Sequence, residues 1–433
     1  MIADFVIRRA RQVLTCQGPA PRTGCDQGDV AAVVDGTIAA RGGRIVFAGP
    51  ADEWDRIGRT TPDAAILDAA GRTVVPGFVD PHTHVVFAGE RREELGRRLA
   101  GATYAEIAAA GGGILSTVRA TRAATADELV TAALTRLAEM LRSGTTTCEA
   151  KSGYGLDTDT ELKMLRVIRR LAGAQPIEIA ATFLGAHEIP PEYRARRREY
   201  IDLVLGRMIP AVAREGLAEW CDVFCETGVF TPEESREILT AALKAGLRPR
   251  VHADELAPSG GSRVAVEVGA RSADHLIHVT PECAGGMARA GVVATLLPAA
   301  AFYLKLGRFA PARMLIGAGV PVALATDLNP GGGFSASMPF AMTLACFAMD
   351  MTFEEATVAS TINAAYALDR HARVGSLEAG KQLDAVIVRG DAIDLVRVGA
   401  PAIEAVIKKG QVVWGEVARP APVRAGSTPT PTP

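Results

Sequence analysis

From Pro76 onward, short β-prone runs alternate with helical segments, and this rhythm limits the fold more than any other feature of the chain. The runs are 75–79, 145–150, 177–184, 220–224, 249–252, 272–275, 292–297 and 320–326. Helical periodicity fills 126–142, 159–171, 193–215, 232–245 and 260–268. Eight such runs, each followed by helix or loop, form the pattern of a (β/α)8 TIM barrel, which occupies about 250 residues as one unit. A chain of 433 residues has more than a barrel needs. The surplus lies at both ends. Residues 1–75 hold short strands at 31–34, 37–40, 44–48 and 65–68, separated by Asp-Gly, Gly-Gly and Gly-Pro turns. The same pattern returns after Asp369, at 384–388, 403–408 and 411–414. We therefore expect an α/β chain with a barrel over 76–370 and a small β-sandwich domain built from 1–75 and 371–420. Residues 421–433, which end in alternating Thr and Pro, read as a disordered tail.

A hydrophobic fraction of 48% with 22% charged residues is that of a soluble globular protein. The net charge of −2 gives no general attraction for nucleic acid or an anionic membrane, so anion recognition must be local. The first 15 residues carry Asp4, Arg8, Arg9 and Arg11 without an apolar core, unlike a secretory signal. The longest apolar run, 292–304, contains Pro298 and is too short to span a bilayer. Seven scattered cysteines, Cys16, Cys25, Cys148, Cys221, Cys225, Cys283 and Cys346, read as free thiols in a reducing compartment. Cys221 and Cys225 are four apart, but no second pair completes a zinc site. A cytoplasmic location is expected.

Polar residues gather where the apolar runs end. The first run leads into His82 and His84, and side chains two apart on an extended strand point the same way. Such a pair has meaning only with further ligands, and these follow at equivalent strand ends. The run 249–251 leads into His252, Asp254 and Glu255; 272–274 leads into His275; 320–325 leads to Asp327 and Asn329. Barrel active sites lie at the C-terminal ends of the strands. Three imidazoles and a carboxylate there form a mononuclear metal site with room for a water. Asp327 can ligate and also accept the water's proton. Glu255 is placed to carry a proton to a leaving nitrogen, and His275 to stabilise an oxyanion or share the acid–base work. Taken singly, each has a structural alternative: a hydrogen-bonded histidine, a helix cap at Asp327, a solvated charge at Asp254 or Glu255.

The sequence resembles the amidohydrolase superfamily in its His-Thr-His after strand one, strand-five His and strand-eight Asp. It is more closely similar to the branch that opens 4-imidazolone-5-propanoate to N-formimidoyl-L-glutamate in histidine degradation. The stretches that carry this likeness are 76–89 (PGFVDPHTHVVFAG), 101–114 (GATYAEIAAAGGGI), 151–156 (KSGYGL), 182–187 (TFLGAH), 251–255 (VHADE) and 325–331 (ATDLNPG). The likeness spans roughly residues 20–415. It implies one Zn or Fe ion on His82, His84, His252 and Asp327. It implies that Arg91, Tyr154 and His187 hold the substrate, that Tyr104 approaches the pocket, and that Asn329, Gly331 and Gly332 face the reacting ring. A homodimer is implied as well. Arg91 suits a propionate because a guanidinium fork grips a carboxylate with two hydrogen bonds. Composition alone would make it a surface charge in the Glu90–Glu94 cluster.

Three features depart from this pattern or stand outside it. After Asn-Pro-Gly the branch usually has Ser or Thr, whereas here Gly331, Gly332 and Gly333 run together. That run predicts a more flexible loop, or one admitting a differently substituted ring. Glu188 follows His187 with no orientation that can be read from sequence. Lys151, placed after the third strand in this reading, reads as a supporting lysine rather than the carbamylated bridge of two-metal relatives. Three other readings stay open: a hydrolase of a hydantoin or thio-imidazolone propionate, a nucleobase-type deaminase, and a non-catalytic homologue. A nucleobase has no carboxylate for Arg91 to grip, and a non-catalytic homologue would normally lose a metal ligand.

Overall fold

A computed structural model describes residues 1–102, 106–107, 111–399 and 401–416. Tyr104 and the predicted tail, 421–433, lie outside the described residues. The N-terminal segment supplies β1 (Ile2–Leu14), β2 (Ala32–Arg41), β3 (Arg44–Pro50), β4 (Arg59–Asp68) and β5 (Arg72–Pro76). Next come β6 (Phe78–Asp80), β7 (Thr145–Lys151), β8 (Glu178–Ala186) and β9 (Trp220–Cys225). They are followed by β10 (Arg248–Ala253), β11 (Ser272–His275), β12 (Val293–Leu296) and β13 (Val322–Leu324). β14 (Ala385–Arg389), β15 (Ile403–Lys408) and β16 (Gln411–Gly415) complete the set.

Strands β6 to β13 pair in sequence order, all parallel, as the alternating pattern predicts. Bonds just past the strand ends draw β13 to β6. Thr326 N donates to Asp80 Oδ1 (3.1 Å), Asp327 N to His82 O (3.2 Å) and His84 N to Leu328 O (2.9 Å). The seam of the barrel therefore runs through the histidine pair. Capping boxes begin two of the outer helices: Thr125 with Glu128 starts Ala126–Arg142, and Thr231 with Glu234 starts Pro232–Lys244.

Three expectations change in detail. The run 75–79 is not one strand: β5 ends at Pro76 in the other sheet, and β6 begins the barrel at Phe78. Gly77 makes the crossing, where a Cβ would lie 2.4 Å from Thr146 Oγ1. Only glycine lets the backbone pass so close. The predicted helix 193–215 breaks into Pro191–Arg196, Arg197–Leu203, a π turn Val204–Met208 and Ile209–Glu215. Pro210 cannot donate to a carbonyl one turn back, and the wide turn precedes it. Lys151 ends the second barrel strand, not the third, because helices fill the stretch between β6 and β7.

The remaining eight strands form one mixed sheet from both ends of the chain. β1 pairs with β2 along one edge, and with β4 and then β5 along the other. Its register shifts between Ile7 and Ala10, where Arg9 sits at φ 59°. Such a bulge bends a strand. Phe5, Ile38 and Leu67 share a core with Val74, Ile387 and Ile407, so this one sheet from both chain ends packs around a core of its own. β1 escaped sequence reading because Arg8, Arg9 and Arg11 interrupt its apolar run. They face outward and pair with Asp55, Asp68 and Asp391. Among the described residues no helix is long and apolar enough to cross a membrane.

Candidate active site

His82 and His84 leave β6 in extended chain, and His252 is the fifth residue of β10. Their ligand atoms all lie within 4.8 Å of one another, the only such group of three or more among the described residues. Asp327, three residues past β13, completes the ring. Its Oδ1 stands 3.7 Å from His82 Nε2 and 3.6 Å from His84 Nε2. Asp327 takes φ 51°, a left-handed conformation that Asp adopts more readily than most residues other than Gly and Asn. All four residues are buried. Burial, with Lys151 and the other imidazoles nearby, holds His82 well below the usual imidazole range. Burial, with His187 and His252, does the same for His84. Both therefore stand neutral, as metal ligands must.

A layer of charge lies directly beneath. His82 Nδ1 donates to Asp274 Oδ2 at 2.7 Å, and His252 Nδ1 lies 2.9 Å from Asp222 Oδ2, though poorly aligned for a hydrogen bond. Lys151 Nζ reaches Glu149 and Asp222 at 2.7 Å each, and Arg250 Nη2 reaches Asp274 at 3.4 Å. All five are fully buried. Burial alone would raise Asp222, but His252 and Lys151 hold it well below the usual carboxylate range. Sequence reading missed Glu149, Asp222, Arg250 and Asp274. The available signal was the period of two: Glu149 with Lys151, and Arg250 with His252, alternate along strands whose inner face fills the barrel.

The arrangement fits a divalent cation. His82 Nε2 and Asp327 Oδ1 are buried without hydrogen-bond partners, although such atoms are normally satisfied. A ligating imidazole whose other nitrogen meets a carboxylate is the usual support for a bound metal. Beneath the ligands, three carboxylates face two cationic side chains, which leaves one negative charge in excess. Burial raises the Asp327 carboxyl to about 7, and a nearby cation would reverse that shift.

A cavity of about 460 Å³ opens above the histidines. Every predicted site residue among those described lines it except His82, which lies beneath. Glu188 lines it too, with Oε1 accepting from Ile189 N at 2.8 Å. Tyr154 is buried, with its ring 5.7 Å from that of His84 and 5.3 Å from that of His187. Its loop is wound around Glu161, which accepts from the backbone N–H of Gly153, Gly155 and Leu156. His187 Nδ1 donates to Gly153 O at 2.9 Å, which leaves Nε2 as an acceptor. Burial lowers this imidazole to about 3.

Arg91 is 8% exposed, so it is no surface charge. Nε and Nη2 both donate to Glu94 Oε2, at 2.9 and 2.8 Å. The guanidinium lies flat on Gly331, where a Cβ would meet Nη1 at 2.2 Å. The expected flexibility of the glycine loop is not what the structure shows. Asn329 Oδ1 accepts from Gly331 N (2.8 Å) and Gly332 N (2.7 Å), and Arg98 Nη2 donates to Gly331 O (2.5 Å). Leu304 approaches to 3.2 Å of where a Gly332 Cβ would stand, and a Gly333 Cβ would overlap Asp327 O. Glycine is needed here for close packing.

Glu255 and His275 face each other at 3.6 Å (Oε2 to Nε2). Burial, with the Asp327 and Glu226 carboxylates nearby, pushes Glu255 well above the usual carboxylate range, which favours its protonated form. Burial keeps His275 neutral. Glu226 fixes the Glu255 backbone by accepting from Glu255 N (3.1 Å) and Leu256 N (2.8 Å). Asp254 is no solvated charge: it accepts from Gly260 N and Ser262 N and organises the next loop.

Comparison with known proteins agrees with this geometry. The model of the Amidohydrolase family matches residues 73–413. An imidazolonepropionase of Symbiobacterium thermophilum is 49% identical over 95% of this chain and 98% of its own. That of Geobacillus kaustophilus is 48% identical over 94% and 97%. A triazine hydrolase structure from Arthobacter aurescens superposes with a TM-score of 0.72 at 18% identity, covering 98% of this chain and 96% of its own. A zinc-bound adenosine deaminase from Xanthomonas campestris gives 0.67 at 18%, covering 95% and 93%. At such identities those two establish the fold alone. By its sequence the chain belongs to the amidohydrolase family and, within it, to the imidazolonepropionases.

Proposed function

We infer that this metal-dependent hydrolase cleaves the cyclic amide of 4-imidazolone-5-propanoate and releases N-formimidoyl-L-glutamate. One observation carries the reading: a single cavity has clustered imidazoles and Asp327 at its base and a buried arginine in its wall. His82, His84, His252 and Asp327 would hold one Zn or Fe ion, whose bound form polarises a carbonyl and acidifies water. Imidazole and carboxylate donors accept either metal.

Arg91, set by Glu94 and Gly331, receives the propionate. Tyr154 packs against the ring, and His187 Nε2 accepts a ring N–H. Asp327 takes the proton of the attacking water as its oxygen bonds to the ring carbonyl carbon. His275 steadies the developing oxyanion. Glu255 gives its proton to the ring nitrogen as the C–N bond breaks, which leaves a carboxylate and a formimidoyl nitrogen. Tyr104, Asn329 and Gly332 complete the pocket in this reading; the Asn329 side chain acts by holding the loop in shape.

The similarity to imidazolonepropionases favours this ring over a hydantoin or thio-imidazolone propionate. A cytoplasmic homodimer completes the proposal, with sedimentation velocity as the check on assembly. Purified protein carrying one Zn or Fe per chain is expected to consume 4-imidazolone-5-propanoate faster than either related ring. Absence of turnover on it by the metal-loaded protein, or faster opening of hydantoin-5-propanoate, would overturn the assignment.

A further inference from the structure

Lys151 does more in this chain than neutralise a buried acid. Its Nζ sits 2.7 Å from Glu149 Oε1, 2.7 Å from Asp222 Oδ2 and 3.9 Å from Asp274 Oδ2. Asp222 backs His252 from β10, and Asp274 backs His82 from the seam at β6. The backbone joins in, since Lys151 N donates to Thr83 O at 3.0 Å, between the two histidines of the pair. Ligands from two separate parts of the barrel thus depend on one ammonium group. Asp274 has a second cation in Arg250, whereas among the described residues Lys151 is the only lysine or arginine within 4 Å of Asp222.

We propose that Lys151 is a positioning residue for the metal centre: it fixes Asp222 and Asp274 so that His252 and His82 present their ligand nitrogens in one geometry. This rests on the metal-site reading above. A positioning role and a purely electrostatic one have opposite signs here. Removing a buried positive charge near a dication should by itself tighten cation binding. Losing the support of the ligand-orienting carboxylates should weaken it, by about 10- to 100-fold as for other such partners.

The test is Zn affinity by chelator competition, with the visible spectrum of the Co(II)-loaded protein as a report on ligand geometry. Parent protein is compared with Lys151→Met. The double variant Glu149→Gln/Lys151→Met is measured alongside, since it removes an acid together with the lysine and relieves the unpaired charge that threatens folding. Zn binding weakened at least about 10-fold in both variants, with an altered Co(II) spectrum, supports the role. Equal or tighter Zn binding in Lys151→Met, or parent affinity and spectrum in the double variant, overturns it. If the parent itself binds no Zn, the metal-site reading fails, and this inference with it. If the parent binds and the variants match it, only the positioning role fails.

Discussion

Two adjacent layers of the same barrel treat buried charge in opposite ways. In the lower one Glu149, Lys151, Asp222, Arg250 and Asp274 each have an opposite charge within 4 Å. In the upper one His82 Nε2, His84 Nδ1, His275 Nδ1 and Asp327 Oδ1 are buried without a hydrogen-bond partner. The lower layer has each charge matched by an opposite one, although Arg250 Nε and Asp274 Oδ1 also lack a hydrogen-bond partner. The upper layer is complete only with something bound, which marks it as the place where stability has been given up for chemistry.

Removing the cation should have the largest effect. A chelator is expected to abolish turnover while leaving the lower layer, and with it the fold, intact. Turnover should return on adding Zn or Fe, and circular dichroism of the stripped protein checks the fold. Glu255→Gln should come next, with kcat lowered by about 10²- to 10⁴-fold. Metal content and melting temperature should stay near parent values, because Gln keeps the size of the side chain and the 3.6 Å approach to His275 Nε2 is longer than a hydrogen bond. A third variant reverses the contrast. Arg250→Met leaves Asp274 and Glu149 short of a cation and should cost about 3–5 kcal/mol of stability, read from urea unfolding. Arg91→Met should raise KM for the propionate substrate by about 10- to 100-fold, the range of about 1.5–3 kcal/mol for hydrogen bonds to charged groups, with a smaller change in kcat. Smallest of all, Arg166→Ala removes a half-exposed bidentate pair with Glu215. It should cost less than about 1 kcal/mol and leave kinetics unchanged.

The upper layer was largely legible in the sequence, and the lower was not. His82, His84, His252, His275 and Asp327 each stand at the end of an apolar run, where a polar residue is conspicuous. Glu149, Asp222, Arg250 and Asp274 lie inside the runs themselves, where an isolated charge reads as noise in a strand. Only closure of the barrel shows that they face one another. Loop geometry was hidden for a similar reason. Three consecutive glycines suggest freedom, yet Gly331 lies under Arg91 and Gly333 against the Asp327 carbonyl, contacts made by residues distant in sequence. The eight-strand rhythm came through because it is local. The break at Gly77 did not, because it depends on Thr146 from the neighbouring strand.

The most direct test is a crystal structure of the metal-loaded protein with a non-hydrolysable analogue of 4-imidazolone-5-propanoate. The expected result is one cation within bonding distance of His82, His84, His252 and Asp327, with the ring carbonyl toward it and the propionate on the Arg91 guanidinium. A cation bound elsewhere, or a propionate directed away from Arg91, would contradict the assignment.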